Sequence, residues 1–334
     1  MRFGRKQMKM GLVFLAIMVV SVLLAACGSS GSHSGDHSPN ASAGSSQPGE
    51  QSASDRVIQD AMGHHVTIPA NPQRIIASYL EDPLVALGVK PVAQWSVADG
   101  KTVQGYLQSE LKGVPTISYN LPPEEVASFN PDLIVIGSPS SVQNGLYEAY
   151  SKIAPTYVLG DEINSDWRKT LLKMGELLDK KNEAEQLLKQ YDQKAEALTA
   201  KLHQTIGDQS VAILWLTQKQ FYVVDKTRSS GSVLYGDLGI KVPQYLSDLP
   251  SSSQATWSPV SLEKLAQLDA DHIFLVKSDT EQTSEIFNNP IWKNLPAVKK
   301  GHVYEMSSDS SWLYSGLLAG QQVMEDVSKI LANK

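Results

Sequence analysis

A chain of 334 residues with 42% hydrophobic side chains is long enough for one large or two mid-sized domains with proper cores. Its formal charge of −6 argues against general nucleic-acid binding, which needs a basic face to neutralise phosphate. A single cysteine leaves neither a disulfide framework nor a thiolate metal site to be built.

The chain opens with Arg2, Arg5, Lys6 and Lys9 and no acid, followed by an apolar run from Gly11 to Ala26 broken only by Gly11 and Ser21. That is a charged segment leading into the hydrophobic region of a secretory signal. The run is short for a membrane-spanning helix and ends in Leu24-Ala25-Ala26-Cys27-Gly28, small residues leading directly into the only cysteine. The arrangement resembles the bacterial lipobox, which implies cleavage after residue 26 and lipidation of Cys27; the competing reading is an uncleaved anchor. Cleavage would remove four positive charges and no negative ones, moving the formal charge from −6 to −10. Residues 27–54 are rich in Ser and Gly and read as a flexible tether. His33 and His37 lie in it beside Asp36, but no scaffold there would hold a metal geometry.

From Arg56 the pattern becomes that of packed elements. Val57-Ile58 and Val66-Thr67-Ile68 read as a hairpin around Ala61-Met62-Gly63. Strands are predicted at 74–78, 91–93, 115–118, 133–137 and 156–159, and helices at 82–87, 122–129 and 143–150. Alternation of this kind predicts a largely parallel sheet covered by helices. A helical stretch at 166–178 precedes the strongest periodic signal, Ala184, Leu187, Leu188, Tyr191, Ala195, Leu198 and Leu202, with Gly207 as its stop. Strands follow at 211–215, 221–224, 273–276 and 303–306, with helices near 259–268 and 317–331. The expected fold is α/β: two Rossmann-like lobes, 55–165 and 207–334, joined by a linking helical segment at 166–206, with a ligand cleft between them.

Several segments carry a family likeness: Asn71-Pro72-Gln73-Arg74-Ile75-Ile76-Ala77, Ala86-Leu87-Gly88-Val89-Lys90-Pro91-Val92, Asn130-Pro131-Asp132-Leu133-Ile134-Val135, Leu268-Asp269-Ala270-Asp271-His272-Ile273-Phe274, and the run from Trp292 to Tyr304. In this order, flanking a long helix, they resemble the helical-backbone (class III) substrate-binding proteins of ABC importers that take up iron–siderophore complexes, ferric citrate, haem or cobalamin. The resemblance implies a binder that is not an enzyme, carries no cofactor of its own, acts as a monomer and delivers its cargo to an ABC permease. With the lipobox it implies lipid anchoring on the extracytoplasmic face of a membrane, in a cell of Gram-positive type. The residues themselves ask for no chemistry. Asp132 and Asp271 precede apolar strands and read as turn-fixing acids, and Gly88 as a helix exit at positive φ.

Loops beyond the carboxyl ends of the strands should line the cleft, which singles out Tyr79, Trp95, Trp215, Lys277, Trp312 and Tyr314, with Trp257 in a loop before a helix. Large aromatics serve equally well as packing. A chelate with saturated iron needs donors for its oxygens rather than metal ligands, and Arg offers a planar fork for that. The resemblance points to Arg168, in Ser165-Asp166-Trp167-Arg168, where many siderophore binders show a Trp-Arg pair; a cation at a helix start is otherwise unfavourable unless an anion is near. Arg228, in a loop before a helix, is the second choice, and an anionic chelate the expected cargo.

The family docks to its permease through an acid on each lobe, which implies Asp82 in the first lobe; an acid there serves equally as a helix cap. The matching offset in the second lobe gives Val233, leaving Asp237 as the substitute. Two other classes compete. A direct metal binder needs converging His, Asp or Glu, whereas His64, His65, His272 and His302 lie in a hairpin or at strand starts. An enzyme needs a motif, and no phosphate-binding glycine loop, nucleophile elbow, dinucleotide fingerprint or zinc-protease helix is present.

Overall fold

Alternation at the first hairpin becomes structure directly: β1 (Arg56–Gln59) pairs antiparallel with β2 (His65–Ile68), and Asp60 closes the turn by accepting the amides of Met62 and His64. The computed structural model describes residues 54–249, 255–278 and 284–333, all within one unit. The signal segment, Cys27 and all but the end of the tether lie outside the described residues.

In the first lobe the strands are β3 (Ile75–Ile76), β4 (Gln94–Ser96), β5 (Thr116–Ser118), β6 (Leu133–Ile136) and β7 (Thr156–Val158). They form a parallel sheet of order β3-β6-β7 and a separate parallel pair β4-β5. The strand expected at 91–93 is displaced to Gln94–Ser96. Pro91 has no amide to donate, and pairing with the neighbour begins where Gln94 N–H reaches Pro115 O.

In the second lobe β8 (Val211–Thr217), β9 (Gln220–Val224), β10 (Trp257–Val260), β11 (His272–Lys277) and β12 (Val303–Ser307) build one sheet of order β10-β9-β8-β11-β12. β11 runs parallel to β8 and β12. β9 runs antiparallel to β8 and β10, so the sheet is mixed. The β8–β9 hairpin turns on Gln218 and Lys219, both at positive φ (49° and 60°), the left-handed pairing that suits the twist of a two-residue turn. The helix expected at 259–268 is shorter: residues 257–260 form the edge strand β10, where a proline is tolerated, and the helix Leu262–Leu265 begins after Ser261.

Asp132 and Asp271 fix strand entrances, though on the neighbouring strand. Asp132 accepts the amides of Gln73 and Arg74 (2.7 and 2.9 Å), and Asp271 that of Ser210 (3.0 Å). Between the sheets run a linking helix, Trp167–Leu177, and a backbone helix, Lys181–Thr205. The apolar stripe Ala184, Tyr191, Ala195, Leu198 and Leu202 is buried. It joins one core that extends from Leu133 and Val135 through Met174 to Ile213 and Phe274, so the lobes share their interior.

The C-terminal helix, Leu317–Val327, starts at Gly316 and has no side-chain cap of its own. Its cap comes from the other end of the chain. Asp82, in the first-lobe helix Glu81–Ala86, accepts the amides of Leu318 and Ala319 (3.2 and 3.0 Å) and the hydroxyl of Tyr106 (3.1 Å). A carboxylate satisfies orphan amides there and complements the helix dipole. A Cβ on Gly316 would lie 2.2 Å from Asp82 Cγ, and its φ is +154°. Gly316→Ala should therefore destabilise the fold by roughly 2 kcal/mol or more, read as a drop in Tm; an unchanged Tm would mean that the cap does not constrain this junction.

Candidate functional site

A cavity of about 460 Å³ lies where the lobes face each other. Its walls come from the loop after β3 (Tyr79, Leu80), from Asp82 and Gln104, from the start of the linking helix (Ser165 to Arg168), and from second-lobe loops carrying Thr227 to Ser229, Trp257 and Leu313 to Gly316. Two residues that frame it sit at positive φ without being glycine, Tyr79 at 63° and Ser229 at 46°. Strain of this kind persists only where the surroundings enforce it. Ser229 is held by Oγ–H donation to Leu313 O (2.9 Å) and by its amide on Ser315 Oγ (3.2 Å), while Ser230 Oγ donates to Trp312 O (2.6 Å). Gly231 permits this close approach, since a Cβ there would meet Asp225 O at 2.0 Å.

Arg168 lines the cavity but is already engaged. Asp166 caps the linking helix through the amides of Arg168 and Lys169, which sets the Arg168 side chain toward the backbone helix. Its Nη2 donates to Asp237 Oδ1 (2.9 Å) and Asp192 Oδ1 (3.3 Å). Tyr191 donates its hydroxyl to the other Asp237 oxygen (2.7 Å). The guanidinium lies 4.3 Å from the Trp167 ring centroid and 5.1 Å from that of Tyr191. The side chain is one-third exposed, so it is a preset surface of the cavity rather than a free cation. Burial pushes the Asp237 carboxyl up, while its bonds to Tyr191 and Arg168 oppose the shift.

Of the residues expected from sequence, Tyr79, Arg168, Arg228, Trp257 and Tyr314 meet at this cavity. Trp95 stands behind Tyr79 in an edge contact (5.0 Å), and Trp215 behind Trp257 likewise (5.0 Å), with its indole N–H donated to Ser278 Oγ. They support the walls from a second row. Trp257 lies in strand β10, not in a loop. Lys277 is placed elsewhere, because its ammonium pairs with Glu305 (3.2 Å) across β11 and β12. Trp312 is wholly buried, stacked on Phe274 (4.3 Å) with its indole N–H on Asp326 (2.9 Å), and it packs the core.

Of the two docking acids, Asp82 needs correction. Asp82 is buried under the helix it caps and presents no surface to another protein. Asp237 is committed to Arg168 and Tyr191. Each serves an internal contact that sequence separation concealed.

Sequence reasoning missed Gln104, Thr227, Ser315 and Glu81, small or polar residues in no motif. Gln104 lines the cavity, and its side-chain oxygen is buried without a partner among the described residues. Glu81 is fully buried; Oε1 accepts the amide of Trp95 (2.7 Å), and Oε2 has no partner among the described residues. Burial pushes its carboxyl up to about 7 and that of Asp82 to about 6, against the hydrogen bonds that favour their charged forms. Among the described residues no group of three or more His, Cys, Asp or Glu is placed to hold a metal ion, and no helix is long and apolar enough to cross a membrane.

Residues 78–310 match the model of the periplasmic binding protein family. A probable siderophore-binding lipoprotein, YfiY, of Bacillus subtilis is 30% identical, the alignment spanning 97% of each chain. The iron(3+)-hydroxamate-binding protein FhuD of the same organism is 29% identical over 89% of this chain and 90% of its own. Among solved structures, Staphylococcus aureus SirA complexed with staphyloferrin B superposes with a TM-score of 0.67 at 28% identity, covering 82% of this chain and 97% of that one.

A carboxyl whose value is raised by folding stabilises fully below its unfolded value of 4.5 and loses that contribution as pH rises through about 7. Glu81→Gln should therefore raise stability at pH 8 by an amount on the order of 2 kcal/mol, and should abolish the Glu81 share of the wild-type loss between pH 4.5 and about 7. Parallel stability–pH profiles for the two proteins would contradict this burial argument.

Proposed function

Because the chain belongs to the periplasmic binding protein family, we propose that it is an extracytoplasmic receptor that captures a ferric siderophore and hands it to an ABC permease for iron uptake. The observation that carries this reading is the cavity between the lobes, walled by Tyr79, Trp257 and Tyr314 and by polar groups of both lobes and the linking helix. Concave sites of mixed apolar and directed polar character suit a bulky organic chelate. A saturated chelate needs no protein ligand to its iron, in keeping with a cavity walled by hydroxyls, amides and rings. The relatives that match along nearly the whole chain carry siderophore and iron–hydroxamate binding in their names, which supports the same cargo.

The receptor holds no cofactor and performs no chemistry on its cargo; its task is to close on the chelate and present it. Lipidation at Cys27 would keep an acidic protein at the membrane, and the Ser- and Gly-rich stretch after it would let the lobes reach the permease. It works as a monomer. A surface other than Asp82 meets the permease on the first lobe, since that carboxylate is buried under the C-terminal helix.

Titration with iron-loaded siderophores should quench tryptophan fluorescence, because Trp257 lines the cavity and Trp215 and Trp95 stand just behind it. No saturable response to any iron chelate would remove the siderophore reading. Tyr79→Ala should weaken the best chelate by about tenfold, the scale of one aromatic face, with Tm little changed. Wild-type protein should incorporate a labelled fatty acid and Cys27→Ala should not, and equal labelling of the two would contradict lipid anchoring at Cys27.

A further inference from the structure

The second lobe carries a cavity of its own, built without any residue of the cavity between the lobes. It measures about 190 Å³ and lies behind the edge strand β10. Side chains alternate along a strand, so Trp257 faces the cavity between the lobes and its neighbour Ser258 faces this one. The opposite wall is the short helix Gln244–Ser247. Asp269 holds that helix in place by accepting the amides of Gln244 and Tyr245, both at 3.1 Å.

The lining is core-like. Val223, Leu246 and Val260 are buried members of the second-lobe core, and Leu249 packs against it. Apolar cavities of about 150 Å³ stay dry and take up molecules the size of benzene. At about 30 Å³ of liquid volume per water, this space corresponds to roughly six waters, room for a single ring or a short branched chain.

The rim adds a charge preference. Lys226, just beyond β9, and Lys264, on the helix Leu262–Leu265, both border the cavity. Lys277 and Lys300 are paired with Glu305 and Asp271, whereas among the described residues neither Lys226 nor Lys264 stands in an ion pair. The one acid of the lining, Asp225, is turned to its own loop, where Oδ1 accepts the amide and the hydroxyl of Thr227 (2.8 and 2.6 Å).

We propose that this cavity is a second binding site, for a small monocarboxylate with a compact apolar body, an aromatic or branched-chain acid. The body lies among Val223, Leu246 and Val260, and the carboxylate meets Lys226 and Lys264 at the rim. Burial of the body supplies the affinity, and the lysines add a modest attraction that salt screens. The site belongs to the second lobe alone and is independent of the siderophore reading.

The test is calorimetric and NMR titration of the mature protein with benzoate, with benzamide as its uncharged counterpart, and with acetate, which has the charge and no body. Benzoate should bind saturably with a Kd on the order of 1 mM or below, benzamide roughly three- to tenfold more weakly, and acetate not measurably. Ser258→Phe, which fills the cavity from a strand position, should abolish benzoate binding. Lys264→Gln, at an exposed position, should weaken benzoate by about threefold and leave benzamide unchanged. No saturable benzoate binding below about 20 mM, benzamide binding as tightly as benzoate, or benzoate binding that survives Ser258→Phe would overturn the proposal. Should Ser258→Phe fail to fold, the benzoate-to-benzamide ratio in the wild type and in Lys264→Gln decides the matter.

Discussion

The carboxylate of Asp82 on the first amides of the C-terminal helix is the contact on which the arrangement of the cavity depends. It joins positions 236 and 237 residues apart and lies directly under the cavity, so it fixes the first-lobe loop carrying Tyr79 relative to the second-lobe loop carrying Tyr314. Gly316 supplies the space for the carboxylate, and Tyr106 supplies a third donor. Desolvation opposes leaving such an acid charged, which is why its carboxyl is raised even with three hydrogen bonds. The chain tolerates that cost because the uncapped helix end would otherwise be buried with orphan amides.

A second constraint acts on the opposite wall. Arg168 is fixed by two carboxylates and two aromatic faces before any cargo arrives, so the site is preorganised. Preorganisation lowers the ordering cost of binding. The same network ties the linking helix to the backbone helix and to the second lobe, so packing and selectivity share residues.

Much of the architecture was legible because it follows from local periodicity. The stripe through Tyr191 and Leu198, the apolar runs of β6, β8 and β11, and the glycine stop at Gly88 each state their structure within a few residues. The edge strand β10 was not legible: Trp257 to Val260 contains a proline, and the leucines after it are spaced as in a helix. Positions in the cavity followed from strand ends and from the family resemblance, which placed Tyr79, Trp257, Tyr314 and both arginines. What those residues are bonded to did not follow. Asp237 lies 69 residues from Arg168 and Asp82 more than two hundred from its helix, and nothing in an acid's neighbours reveals which distant amide or cation it will meet. One clue was present, since a helix that begins Gly316-Leu317 without Ser, Thr, Asp or Asn at its cap needs an external one.

The central claim, that an iron chelate is held between the lobes by a preset wall of aromatic and polar groups, is tested most directly by a crystal structure of the protein with a bound ferric siderophore. The account predicts the chelate between Tyr79 and Trp257, with Arg168 still bonded to Asp237. A chelate bound outside this cavity, or Arg168 withdrawn from Asp237 to grip it, would contradict the account.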